Sequence, residues 1–247
     1  RGGFEDLISS RRGRNVVLSS HDFTGVPADL EQRYAAMRAT GAALVKIAVH
    51  VQSGSDVIRL LRLGRAHSGD RFVLLGMGDI GAPTRLLPDH FGSAWTYGGE
   101  GVAPGQVPIP DMIKRYRFHE TSSTSALYGV VGAPIGHSLS PAMHNAGFAA
   151  ADLDAVYIPF EATDPEDVFS LLEALNVTGV SVTAPFKETL MPGLCSVDEL
   201  GKRVGAVNTL RRGPGGWEGL NTDVPGFLAP LQRSGGVRDV KTTVLGA

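Results

Sequence analysis

The chain has 247 residues, 43% of them hydrophobic, with 32 glycines and a formal net charge of −2. That length allows one large or two medium domains, and the near-neutral charge removes the electrostatic basis for binding nucleic acid or an anionic membrane. The one cysteine, Cys195, excludes an internal disulfide and suits a reducing, cytoplasmic setting, and no apolar run is long enough to span a bilayer.

Residues 1–14 are polar and arginine-rich and read as the end of a helix and a turn. Val16-Val17-Leu18 marks a strand over 15–23 that ends in Ser19-Ser20-His21-Asp22. Residues 27–40 carry helical spacing through Leu30, Tyr34, Ala35 and Met37, closed by Gly41. A second strand is expected over 43–51, a helix over 56–63, a third strand over 71–75 and a short helix over 84–91. A fourth strand over 93–97 and a helix over 110–116 complete this half. Near-continuous apolar strands alternating with helices mean a parallel sheet covered by helices. Four such units are half of a (β/α)8 barrel.

Residues 118–125 are polar and aperiodic and read as a linker. Strands then follow over 126–131, 155–160 and 180–183, with helices over 141–151 and 165–175. Two short strands, 208–212 and 217–220, flank a Gly-Pro-Gly-Gly turn; 225–231 is helical and 240–245 is a further apolar strand. Val130, Ile158, Phe160, Leu171, Leu172 and Val182 are expected to give this second half a core of its own.

Lys46 lies within the apolar run Ala43-Leu44-Val45-Lys46-Ile47-Ala48-Val49. A buried ammonium is costly unless paired or neutral, and a neutral amine is the nucleophile that converts a ketone to an imine. His21 ends the preceding strand, and in a parallel sheet neighbouring strand ends meet on one face. An imidazole there can move protons at neutral pH. A snorkelling lysine and a capping histidine fit the same residues.

Residues 130–145 read Val-Val-Gly-Ala-Pro-Ile-Gly-His-Ser-Leu-Ser-Pro-Ala-Met-His-Asn. Gly132, Pro134 and Gly136 break a strand; Ser138 follows, then Ser140 as N-cap and Pro141 as first helical residue. Two hydroxyls and a helix N-terminus past a strand end form a corner where small polar ligands bind, although a well-made helix start gives the same pattern. Gly76-Met77-Gly78-Asp79-Ile80-Gly81 has dinucleotide-loop spacing after a strand. Pro83 then stands where a phosphate-binding helix needs amide donors, which argues against that use.

The first half resembles type I 3-dehydroquinate dehydratase. The resemblance rests on Ser20-His21-Asp22-Phe23, Lys46-Ile47-Ala48-Val49, Met77-Gly78 with Thr84-Arg85, and Ala103-Pro104-Gly105-Gln106, in that order. It implies Lys46 as the imine-forming lysine, His21 as the proton-transfer group, Arg85 as the substrate-gripping arginine and Gln106 as a lid residue. Val102 stands where the family usually has serine.

The second half is similar to the substrate-binding domain of shikimate dehydrogenase. The matching segments are 132–145, Ser181-Val-Thr-Ala-Pro-Phe-Lys187, Gly205-Ala-Val-Asn-Thr-Leu210 and Gly219-Leu-Asn-Thr-Asp-Val-Pro-Gly-Phe227. This implies Ser138 and Ser140 as carboxylate holders, Thr183, Lys187, Asn208 and Asp223 around the ring hydroxyls, and Lys187 with Asp223 as the catalytic pair. Ser181 stands where asparagine is usual. Those residue types suit the reaction, because hydride transfer to a ketone needs a proton donor and a cation at the developing alkoxide.

The two resemblances imply an α/β chain. Residues 1–117 form the second half of a dehydratase barrel and 118–125 a linker. Residues 126–231 form a substrate-binding domain, and 232–247 the start of a Rossmann domain whose NADP loop lies past Ala247. The implied ligands are 3-dehydroquinate, 3-dehydroshikimate and shikimate, with NADP as cofactor and no metal, nucleic-acid or membrane partner. A non-catalytic quinate or shikimate sensor and a quinate-preferring dehydrogenase are the other readings. Retention of Lys46, His21, Lys187 and Asp223 argues against the sensor, and Ser181 could serve a quinate preference.

Overall fold

The computed structural model describes residues 4–101, 103–233, 235, 236 and 241; Val102 and, apart from Lys241, the strand expected over 240–245 lie outside them. In the first half, α1 (Glu5–Ser10), β1 (Val17–Asp22), α2 (Leu30–Ala39), β2 (Leu44–His50), α3 (Gly54–Ala66) and β3 (Phe72–Met77) follow in turn. Next come α4 (Ala82–Leu86) and α5 (Ile109–Lys114). The strands pair side by side in the order β1-β2-β3, all parallel. β3 is buried along its whole length, with α3 and α4 packed against it and the chain at Tyr97 on its other face. α3 begins where the Ser53 hydroxyl accepts the Asp56 amide at 3.2 Å, satisfying an otherwise orphaned donor.

Two expectations need correction here. Residues 93–97 form no strand. The Ser93 hydroxyl takes the Leu74 amide at 2.9 Å, and the Ala94 amide reaches the Phe72 carbonyl at 2.8 Å. A side-chain bond thus replaces a rung of the ladder, and the segment runs on as irregular chain to Tyr97. The helix expected over 84–91 divides into α4 and a 3-10 turn, Pro88–Phe91. Pro88 pushes Leu87 out of the helical region, to φ −125° and ψ 52°, and brings no amide to continue the ladder.

The second half runs β4 (Ala126–Gly132), α6 (Ser140–Ala150), β5 (Ala155–Glu161), α7 (Pro165–Ala174), β6 (Gly179–Val182) and α8 (Phe186–Thr189). It continues with β7 (Ser196–Val197), α9 (Glu199–Val204), β8 (Thr209–Gly213), β9 (Gly216–Leu220) and α10 (Asp223–Arg233). The sheet order is β5-β4-β6-β8-β9-β7. β4 is parallel to β5 and β6, while β8 is antiparallel to β6 and β9. Helices α8 and α9 and strand β7 are too short for periodicity to reveal. α9 nevertheless carries end signals: the Asp198 carboxylate accepts the Gly201 amide at 2.7 Å, and Gly205 closes the helix at φ 74°. Ser140 is the first residue of α6 rather than its cap; the Ser138 hydroxyl accepts the Ser140 amide at 3.2 Å.

The halves do not keep separate cores. Val57 and Leu61 of α3 belong to one apolar cluster with Ile158, Phe160, Leu171, Leu172 and Val182. Val130 lies apart, with Ile135 and Tyr157. The reason is the fit of α3 on α7. Gly54 leaves room for the α7 backbone, its amide reaches Asp167 at 3.2 Å, and the Ser55 hydroxyl meets the same carboxylate at 2.6 Å. The expected linker is also docked at both ends: Arg117, just before it, donates to the carbonyls of Leu153 at 3.0 Å and Ala155 at 2.9 Å, and Ser125, its last residue, bonds Asp154.

Among the described residues no strand covers the outer edge of β1, where Val17 is 46% exposed. A cavity of about 520 Å³ lined by Phe4, Ile8, Leu18 and Met37 lies beside it. Unpaired edge amides and carbonyls template pairing with another chain. Self-association of the 247-residue chain is therefore expected in sedimentation velocity, and Val17→Lys should shift it toward monomer. An unchanged profile for the variant would place the contact elsewhere.

Candidate functional site

Alternation along β2 separates two sets of side chains. Val45, Ile47 and Val49 enter the main core, whereas Leu44 and Ala48 pack with Val73 and Leu75 on the opposite face, which Lys46 shares. Lys46 is half-buried, not enclosed as its apolar neighbours suggest, because irregular chain at Tyr97 covers this face in place of a packed layer. Its ammonium lies 4.3 Å from the centre of the Tyr97 ring, a cation–π contact.

His21 sits on the adjoining strand, opposite Ala48, with its ring stacked 6.2 Å from Phe23. His21 is solvent-exposed, and partial desolvation, with secondarily the positive charge of Lys46, holds its pKa below the ordinary 6.5. The folded state therefore favours neutral imidazole. Its contribution to stability is present above 6.5 and is lost as the pH falls through the lowered value. A nitrogen-detected NMR titration should place His21 below 6.5, and Lys46→Ala should move it upward. A midpoint at or above 6.5 would show that the two residues are not coupled in this way.

Arg85 on α4 is 2% exposed; it donates to the Tyr97 carbonyl at 3.5 Å and the Pro104 carbonyl at 3.3 Å, and its Nε has no partner. Desolvation lowers its pKa. Tyr97 thus touches both Lys46 and Arg85. Its only sequence signal was an aromatic residue ending an apolar stretch. Gln106 is held within its own loop, where its Oε1 accepts the Ala103 amide at 3.1 Å. That loop is held against the end of β3 by Gly105, at φ +69°, where a side chain would strike the Gly78 carbonyl. The glycines of 76–81 serve backbone packing too. A Cβ on Gly76 or Gly81 would meet the other, and the Gly76 amide bonds the Thr84 hydroxyl at 2.8 Å. The following helix, α4, has five residues, so nothing here suits a dinucleotide.

The second cluster lies at the ends of β6 and β9. Lys187 on α8 donates to Asp223 Oδ2 at 2.6 Å, and Asn208 donates to Asp223 Oδ1 at 2.7 Å. Asn208 is fixed in turn: its Nδ2 reaches the Thr222 hydroxyl at 2.8 Å, and its Oδ1 accepts the Thr222 amide at 2.8 Å. The Val207 amide bonds the Lys187 carbonyl at 2.8 Å, tying the two loops together. The side chains of Lys187 and Asp223 are 38% and 51% exposed, so the pair adds less than about 1 kcal/mol to folding. Asp223 starts α10, where the helix dipole favours a carboxylate.

Thr183 follows β6 directly, its amide bonded to the Val131 carbonyl at 2.9 Å. Ser138, in the turn after the adjacent strand β4, and Ser140, the first residue of α6, follow on, and the Ser138 carbonyl is held by Arg115. Ser181 shares the Thr183 face and lies near Tyr157. Burial raises the Tyr157 phenol, and the Ser181 hydroxyl opposes that shift without reaching hydrogen-bonding geometry.

Residues 3–123 match the family model described as type I 3-dehydroquinase, and residues 130–210 match that of the shikimate dehydrogenase substrate binding domain. The chain thus carries a region similar to type I 3-dehydroquinase followed by one similar to the substrate-binding domain of shikimate dehydrogenase. Among curated relatives, it is 32% identical over 225 residues to the bifunctional 3-dehydroquinate dehydratase/shikimate dehydrogenase, chloroplastic, of Arabidopsis thaliana; the match covers 88% of this chain and 37% of that one. It is 51% identical over 114 residues to a shikimate dehydrogenase (NADP(+)) of Thermosynechococcus vestitus, covering 45% of this chain and 40% of the relative. A match to the pentafunctional AROM polypeptide of Yarrowia lipolytica, at 33% identity, covers 97% of this chain and 16% of the relative. The chain thus spans about two fifths of the first two relatives. The residues matching the dehydroquinase model include Lys46, His21, Arg85 and Gln106; those matching the dehydrogenase model include Lys187 and Asn208, with Asp223 just beyond them. No helix among the described residues is long and apolar enough to cross a membrane.

Proposed function

We propose that the protein containing this chain dehydrates 3-dehydroquinate in the dehydroquinase region and reduces 3-dehydroshikimate to shikimate in the dehydrogenase region. The observation that carries the reading is the three-residue cluster of Lys187, Asn208 and Asp223. In it a carboxylate is gripped from both sides while its lysine remains open to a ligand. In the reduction direction, the Lys187 ammonium gives a proton to the carbonyl oxygen as it becomes a hydroxyl. Asp223 orients that ammonium, and Asn208 holds Asp223. Ser138 and Ser140 take the substrate carboxylate, and Thr183 a ring hydroxyl. NADP, the cofactor named for the relatives, supplies the hydride when bound. The described residues offer it no fitting turn, since 76–81 is filled by its own backbone.

In the dehydroquinase region the Lys46 amine attacks the substrate ketone to give an imine and water. His21, neutral near pH 7, takes the proton whose removal leads to loss of the hydroxyl. Arg85, with a free Nε, supports the substrate carboxylate.

Titration calorimetry with shikimate tests the second site in the chain itself. Weak binding is expected from the 247-residue chain. Lys187→Ala and Asp223→Ala should each reduce it about tenfold or more, as expected when a buried or ligand-facing charged partner is lost. Equal heats for parent and variants would move the ligand site away from this pair.

A further inference from the structure

Asp223 owes its place to more than the two residues that touch it. It starts α10 immediately after Asn221-Thr222, and Asn221 is 5% exposed with its side-chain amide and its backbone N–H engaged. The Asn221 Oδ1 accepts the Val224 amide at 3.2 Å, capping α10. Its Nδ2 donates to the Ala206 carbonyl at 2.9 Å, on the loop that carries Asn208. Its own amide donates to both oxygens of Asp198, at 3.3 Å each. Asp198 is itself anchored: its amide bonds the Gly219 carbonyl at 3.0 Å and its carboxylate caps α9. The buried Asn221 side chain therefore joins the start of α10 to the 205–208 loop, and its backbone amide ties both to the cap of α9. The loop and helix it joins are those that present Asn208 and Asp223.

We propose that Asn221 and Asp198 are positioning residues that fix the Asp223 carboxylate against Lys187 and Asn208. This rests on the reading of that cluster as the substrate-hydroxyl site. An exposed carboxylate on a helix end would otherwise sample several rotamers, and a displacement of about 1 Å at such a site costs on the order of a hundredfold in rate. The Asn221 connections remove that freedom without touching the ligand.

The test uses the 247-residue chain, shikimate as the calorimetric probe, and nitrogen-detected NMR of the lysine ammonium groups. Asn221→Ala is expected to weaken shikimate binding about tenfold and to move the Lys187 ammonium signal toward that of a free lysine. Asn221→Ser, which keeps a capping oxygen, should recover part of both. Asp164→Ala removes a helix cap away from the site, where Asp164 holds the Glu166 amide at 2.7 Å. It should lower the melting temperature and leave both readouts unchanged. If Asn221→Ala does not fold, Asp198→Asn keeps an oxygen for the Gly201 amide and should move the Lys187 signal in the same direction.

An unmoved Lys187 signal with unchanged affinity in the folded Asn221 or Asp198 variant overturns the proposal. A parent chain that does not bind shikimate, while the Lys187 signal still responds to Asn221→Ala, overturns the ligand reading and leaves the positioning role standing.

Discussion

Lys46→Ala is expected to abolish borohydride trapping of 3-dehydroquinate in the full-length protein that contains this chain. Dehydratase activity should fall by about six orders of magnitude, the scale seen when a covalent nucleophile is removed. Reduction converts an imine to a stable secondary amine, so the adduct reports the nitrogen that attacked. The structure favours Lys46 over the other described lysines with known partners. Lys187 is held by Asp223 at 2.6 Å and Lys202 by Glu199 at 2.9 Å, whereas Lys46 meets only the face of Tyr97. Lys46→Arg separates charge from nucleophilicity: it keeps the cation over Tyr97 and forms no imine. Trapping that survives Lys46→Arg, or a modified peptide lacking residue 46, would remove this lysine from the mechanism.

Leu172→Ala should lower stability by about 2–5 kcal/mol, because Leu172 is fully buried and the cavity left behind cannot collapse between packed helices. For a chain of this size that corresponds to a fall of roughly 5–15 °C in Tm. The same variant should also loosen α3, in the other half of the chain, because Val57 and Leu61 share its cluster. Amide exchange measured along the chain decides this. Faster exchange in both α7 and α3 is the expected outcome. Acceleration confined to residues 126–233 would mean that the halves unfold independently and that their contact contributes little.

The strands were legible because their apolar runs are local. Leu44 to Val49 and Phe72 to Leu75 are buried in the structure much as their composition demands. Residues 93–97 misled because a strand exists only when a neighbour completes its ladder, and Ser93 satisfies part of β3 with a side chain instead. Lys46 misled for a related reason. Sequence shows an apolar run around it, but burial on its own face depends on what covers that face, and Tyr97 covers it only in part.

The sequence by itself determined the α/β character of both halves, including the parallel strands β1 to β3 and β4 to β6. It also determined the residue types at Lys46, His21, Lys187, Asn208 and Asp223, because strand patterning and reactive side chains are properties of short segments. Only the tertiary structure decided that one core runs through both halves, that Tyr97 stands between Lys46 and Arg85, and that Gln106 turns back on its own loop. The same holds for the connection of Asp198, through Asn221, to the start of α10. Each of these depends on surfaces distant in sequence meeting at van der Waals or hydrogen-bond distance. The periodicity of a segment reports which of its faces is apolar and carries no information about which surface that face will meet.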